Sequence, residues 1–309
     1  MDTTTLEPNA VDPAAIDALG EAHGATAWNY VREPAIGALV SIESASTGVE
    51  RFHASRSAGH QLATVKVGTA AVLPVSHDLG GRIVGRQGQE LRYDARNRLV
   101  AVLQDDIVVE AYAWSDDGRM AARYDHTGLV ERYGYDGVQM VAAVDADNHP
   151  TWDAVWADGI DQLVQWTDRR PGTARTLNPV VDHRNAIVAM FDAVVGTMTE
   201  LAAYDADGRV KLMNAAEKVV CDEAEGQDVC PLPGDVPFGF GSAWRSAKTG
   251  LVWMRNRWYD PGLGQFVSQD PVGAVDSFNL YGFVGVSWVN AWNLCRLQDH
   301  GDSIASAPA

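Results

Sequence analysis

Short runs of β-branched, aromatic and aliphatic residues alternate with clusters of Gly, Asp, Asn, Ser and Pro along most of this chain of 309 residues. Residues 38–42, 48–53, 61–67 and 70–75 are the first such runs, and each reads as a strand bounded by turn residues. Near the other end, residues 251–253, 257–259 and 265–268 repeat the pattern around a Tyr-Asp-Pro-Gly turn at 259–262 and an Asp-Pro-Val-Gly turn at 270–273. Pro fixes φ and gives no N–H to a ladder, while Gly supplies φ > 0, so both tetrapeptides reverse the chain. The spacing predicts tight antiparallel hairpins throughout. Only residues 1–24 differ: they read as a tail or a short helix starting at Pro13, with Asp12 as its N-cap.

From His77 onward the turns share one form. An aromatic residue or Asp leads, a turn follows, and Gly or Asn then precedes Arg and an aliphatic residue. Instances begin at Asp78, Tyr93, Ser115, Tyr124, Tyr135 and Tyr204. Asp opens such a turn, Gly or Asn takes φ > 0, and the following residues run out as a strand. One hairpin cannot bury its apolar face alone, so neighbours must stack into a continuous curved sheet.

The longest ordered motif lies in residues 249–297. It comprises Thr249, Gly250, Leu251, Met254, Arg255, Arg257, Trp258, Tyr259, Asp260, Pro261, Leu263, Gly264, Phe266, Ser268, Gln269, Asp270, Pro271, Gly273, Asn279, Leu280 and Tyr281. This string resembles the RHS-repeat-associated core of bacterial RHS and YD-repeat proteins and of Tc toxin C subunits. The upstream repeat resembles the YD repeat of the same family, and 159–164 and 182–193 resemble the run before the core. The resemblance covers about residues 77–297. It implies an all-β fold: a curled antiparallel sheet of YD-repeat hairpins, of the RHS shell-wall type, ending in an RHS core. The expected organisation is a tail or short helix at 1–24, repeat sheet at 25–236, core at 237–297 and a disordered tail at 298–309. Family members wind such a sheet into a hollow shell around a C-terminal toxic domain, so this length implies one section of wall.

In the family, the core ends in an aspartyl autoprotease that cuts just past a second Asp-Pro-x-Gly-Leu turn. Arg257 and Asp270 match its arginine and its first aspartate. The second turn falls at 293–297, where Asn293 replaces Asp, Leu294 replaces Pro and Arg296 replaces Gly; Trp288 also stands where Pro is usual. The chemistry needs two carboxyls sharing a proton. Asn293 cannot ionise or act as a base, and Arg296 disfavours a turn built for Gly. The expectation is a non-catalytic shell fragment with a degenerate cleavage site, no toxin domain after Leu297, and Arg257 and Asp270 kept as a structural pair. One alternative is a residual autoprotease that cuts after Leu297, using Asp270 alone or with Asp276 or Asp299. Another is a cell-surface carbohydrate-binding module, suggested by the Trp content. The expected partner is a longer RHS protein or a toxin-delivery component.

Composition narrows the rest. There are 41 acidic and 24 basic residues, a net charge of −17, which disfavours a nucleic-acid partner. The N-terminus lacks the basic and apolar regions of a Sec signal, and no run of about 18 apolar residues offers a spanning helix. Location stays open between the cytoplasm and export by a specialised apparatus. Cys221 and Cys230 bracket an acidic loop and are read either as a local disulfide or as unpaired thiols. The eight His are scattered without ligand spacing, and no cofactor or metal is expected.

Overall fold

The computed structural model describes residues 28–32, 38–44, 50–57, 61–67, 71–214, 216–225, 229–271, 273 and 279–283. The expected tails and helix at the two ends lie outside these residues, as do Asp276, Trp288, Asn293, Cys295, Leu297 and Asp299. The fold is all-β, as the hairpin pattern and the resemblance imply. Strands follow one another as antiparallel neighbours in four sheets. A five-stranded sheet runs from Trp28–Arg32 to Leu73–Pro74, and a thirteen-stranded meander from Ser76–His77 to Thr197–Met198. A three-stranded sheet spans Leu201–Tyr204 to Val219–Asp222, and a four-stranded one spans Trp244–Arg245 to Gln265–Phe266.

The repeat works through its turns. Asp94 Oδ1 accepts the backbone N–H groups of Arg96 at 2.8 Å and Arg98 at 2.9 Å, while Asn97 sits at φ 64°. Asp78, Asp145, Asp182 and Asp205 accept the N–H groups two and four residues on in the same way. Asn214 does so with its amide oxygen. Each carboxylate thereby satisfies donors that the turn would leave orphaned. In three turns the Arg four residues on closes an ion pair with the same Asp: Arg82 with Asp78, Arg98 with Asp94, and Arg209 with Asp205.

A second periodicity fixes the inner face. Tyr93, Trp114, Tyr135 and Trp156 are spaced 21 residues apart and stand at the same end of alternate strands. Each donates its polar hydrogen to a main-chain carbonyl of the preceding strand, at Ile83, Leu99, Met120 and Met140 respectively, all at 2.9 Å. The first three also lie under a turn arginine, with Arg82, Arg98 and Arg119 at 5.0–5.8 Å from the ring centroids. The acceptor residues Ile83, Leu99, Met120 and Met140 are themselves buried.

The C-terminal block shows how far the sheet curls. Arg56 reaches Gln265, Gly81 accepts from Tyr281, Tyr112 packs on Trp258, Trp156 on Phe238, and Ile187 donates to Gly239. Strands from both ends of the meander thus converge on one short segment. A flat sheet of thirteen strands at about 4.8 Å spacing would keep those ends tens of ångströms apart. The core is this shared interior: Val65, Leu91, Val102, Trp152 and Met190 of the sheets and Trp244, Trp253, Trp258 and Val267 of the block belong to one buried apolar cluster. Trp253 and Trp258 are core residues, as aromatic positions in strands usually are.

Candidate functional site

Arg257 opens the strand Arg257–Asp260, directly after the tight turn at Arg255, where φ is 60°. Its ladder partner is Met254, and its own side chain is buried. The guanidinium carbon lies 3.7 Å from the centroid of the Phe266 ring. One nitrogen meets Asp270 Oδ2 at 2.7 Å, and another donates to the carbonyl of Leu280 at 3.3 Å. Asp270 is positioned by its backbone: its N–H donates to Leu280 at 2.8 Å, and its carbonyl accepts from Gly273, at φ 75°, closing the Asp-Pro-Val-Gly turn.

These contacts strap residues 279–281 across the block. Phe266 N–H donates to the carbonyl of Tyr281 at 2.9 Å, and the Tyr281 hydroxyl donates to Gly81 at 2.6 Å in the first repeat turn. Gly81 has φ 77°, and a side chain there would run into Gln269 and Tyr281. The neighbouring Tyr-Asp-Pro-Gly turn is gripped as firmly. Asp260 pairs with Arg86 at 3.0 Å, both buried, Arg209 donates to the Gly262 carbonyl, and Tyr259 donates to Asp207.

The structure therefore joins two of the three residues that the sequence marks, Arg257 and Asp270, in one charge-assisted hydrogen bond. The third, Asn293, and the bond after Leu297 lie outside the described residues. The arrangement orients one carboxylate against a guanidinium. General acid–base cleavage of a peptide asks for a second titratable group beside it.

Several polar residues that sequence reasoning passed over hold the block in place. Glu110 is fully buried and meets Ser246 Oγ at 2.5 Å, Tyr112 Oη at 2.7 Å and Arg123 at 3.0 Å. Its signal was a lone carboxylate within the apolar strand Ile107–Trp114. Burial pushes the Tyr112 hydroxyl far above its ordinary range, and the Glu110 charge adds to this. Cys221 and Cys230 form a disulfide that ties the strand Val219–Asp222 to the segment entering the block. At the Asp145 turn, ligand atoms of Asp145, Asp147 and His149 lie within 4.8 Å of one another, but Asp145 is engaged by the turn amides.

A curled sheet of Asp-turn hairpins closing on a Trp-rich block defines a YD-repeat shell protein. The chain belongs to the YD-shell family: the Teneurin YD-shell family model matches residues 60–285. It is similar to double-stranded DNA deaminase toxin A of Burkholderia cenocepacia (strain H111), 28% identical over 250 residues covering 72% of this chain. It is also similar to the probable deoxyribonuclease RhsA of Dickeya dadantii (strain 3937), 26% identical over 243 residues covering 73% of this chain. The chain spans 16% of the length of each of these relatives. Among solved structures, the Photorhabdus luminescens Tc holotoxin pore matches with TM-score 0.56 and 15% identity, over 91% of this chain and 16% of that one. That match speaks for the fold.

Proposed function

We propose that this chain is a non-catalytic section of a YD-repeat shell wall of the toxin-enclosing kind, and that its self-cleavage site is degenerate. The observation that carries this reading is the Arg257–Asp270 pair. The arginine that the family's cleavage site would use is stacked on Phe266, bonded to Asp270 and tied to Leu280. In that role the pair is a clasp on the strap at 279–281. Asn293 at the second position supports the same reading, because an amide cannot exchange a proton as a carboxyl does. On this reading residues 25–236 supply wall and 237–297 supply the core that the wall closes on. The fitting partner is more YD-repeat sheet, in a longer RHS protein or a toxin-delivery assembly.

Intact mass spectrometry tests the reading on the purified chain and its Asp270→Asn variant, each held for days at several pH values. A single species at 33.3 kDa for both is the expected result. Loss of the residues after Leu297 from the wild type, abolished in the variant, would overturn it and establish an aspartyl autoprotease.

A further inference from the structure

His77 ends the short strand Ser76–His77 at one edge of the large meander, directly before the Asp78 turn. Its ring meets the ring of Tyr281 edge to face, with centroids 6.0 Å apart and planes at 75°. Tyr281 is the side chain through which the strap at 279–281 reaches the first repeat turn, by its bond to the Gly81 carbonyl. His77 is therefore the titratable ring at the point where the strap closes the start of the meander onto the C-terminal block.

The surroundings suit a neutral imidazole and leave no place for a charged one. His77 Nε2 is buried and meets no hydrogen-bond partner among the described residues. Two charged groups face the ring: Asp78 favours a proton on it, and Arg56 opposes one. Neither carboxylate oxygen of Asp78 is idle. Oδ1 accepts the N–H groups of Gly80 at 2.9 Å and Arg82 at 3.0 Å, and Oδ2 accepts from Arg82 Nε at 2.6 Å. Arg56 is itself a cation, bonded to Gln265 at 3.0 Å. From the strap side, the Tyr281 hydroxyl donates to Gly81 at 2.6 Å and accepts from Gln269 Nε2 at 3.2 Å. A second proton on the imidazole would bring a charge and a further N–H to a spot with no acceptor in reach. Burial is the largest influence on His77 and holds it below the ordinary histidine range.

We infer that His77 is an acid-sensitive catch: its protonation parts it from Tyr281 and loosens the strap that closes the meander on the block. The inference rests on the wall reading above and gives that wall a regulation, with closure firm at neutral pH and slack in mild acid. The sign follows from linkage. A histidine whose folded pKa lies below its unfolded value of about 6.5 contributes stability that is complete above about pH 6.5. That contribution is lost as pH falls through the folded value. The opening is local: Tyr281 leaves Gly81 while the sheets stay folded. It also lies above the range of about pH 4 in which the turn carboxylates protonate.

The experiment is hydrogen exchange of the intact chain from about pH 7.5 to about pH 5, corrected for the intrinsic pH dependence of exchange. Protection of residues 279–283 should fall about tenfold or more over that range in the wild type, while Leu99–Gln104 keeps its protection. In His77→Phe, which keeps a ring and cannot charge, protection of 279–283 should not change with pH. His77→Gln gives the same reading should His77→Phe fold poorly. A strap whose protection is constant with pH in the wild type would overturn the inference. A fall of equal size in the folded variants would place the acid response elsewhere and do the same, as would simultaneous loss of protection in Leu99–Gln104. Intact mass on the same samples keeps the two readings apart: a strap that loosens in a chain still at 33.3 kDa reports the catch alone, whereas cleavage after Leu297 bears on the wall reading.

Discussion

Trp114 donates its indole N–H to the main-chain carbonyl of Leu99, 15 residues back and one strand across, at 2.9 Å. Tyr93 and Tyr135 make the same bond with a hydroxyl, to Ile83 and Met120. Two chemically different side chains thus serve one structural position, because each puts a donor at the far edge of a flat ring. The bond ties an aromatic residue of one strand to the start of the preceding one, and it recurs through the first half of the wall.

Removing one such donor while keeping the ring isolates its contribution. Tyr135→Phe should lower unfolding stability by about 1 kcal/mol, the usual net worth of a hydrogen bond, with little change in structure. Urea titration of the variant against the wild type measures it. An unchanged midpoint would show that the Met120 carbonyl is satisfied equally well by solvent.

That periodicity also shows what was and was not legible in the sequence. The turns were legible, because Asp followed by Gly or Asn at a fixed offset has one mechanism, seen at Asp78, Asp94 and Asp205. The aromatic spacing of 21 residues was missed because a search for Tyr-Asp skips Trp114 and Trp156, although indole and phenol donate alike. The Arg257–Asp270 pair was visible as a motif match. Its clasp geometry needed the strap at 279–281, which pairs through backbone groups that carry no sequence signal.

Glu110 gives a larger effect. Its carboxylate is buried among Arg123, Tyr112 and Ser246, so Glu110→Ala takes one of the two carboxylates from Arg123, which keeps Glu131, and removes the shared acceptor of two hydroxyls at the junction of sheet and block. The expected loss is about 3–5 kcal/mol, typical of breaking one side of a buried pair. Chemical denaturation checks this, and a loss under about 1 kcal/mol would mean that water enters the junction freely.

The Cys221–Cys230 bridge closes a short loop, nine residues apart in sequence. A cross-link over that span restricts the unfolded chain by about 2–3 kcal/mol. Thermal melting with and without reductant, or of Cys221→Ser, should show the corresponding fall. A melt indifferent to reductant would place the bridge outside the cooperative unit.

Acid should weaken the wall. Burial of Asp78 and Asp94 acts to raise their carboxyl pKa values, but hydrogen bonds from Arg82 and Arg98 and from the turn amides outweigh it and hold both below the usual range. For Asp145 the backbone N–H of His149 is the main cause of the same shift. A carboxyl depressed in the folded state contributes stability that is complete above its unfolded pKa, about 3.9, and is lost as pH falls toward the folded value. Stability should therefore stay flat on this account down to about pH 5 and drop below about pH 4. Denaturant midpoints measured from pH 7 to pH 2.5 test the sign, and a rise on acidification would refute it.

The central claim is that the sheet and the C-terminal block are one interior, with the block enclosed by the curl. Hydrogen exchange followed by mass spectrometry addresses it most directly. Amides of Val252–Met254 and Arg257–Asp260 should exchange only by global unfolding, as slowly as those of Leu99–Gln104 and Met120–Asp125. If the block exchanges quickly while the meander stays protected, the two are separate units, and the enclosed core described here is wrong.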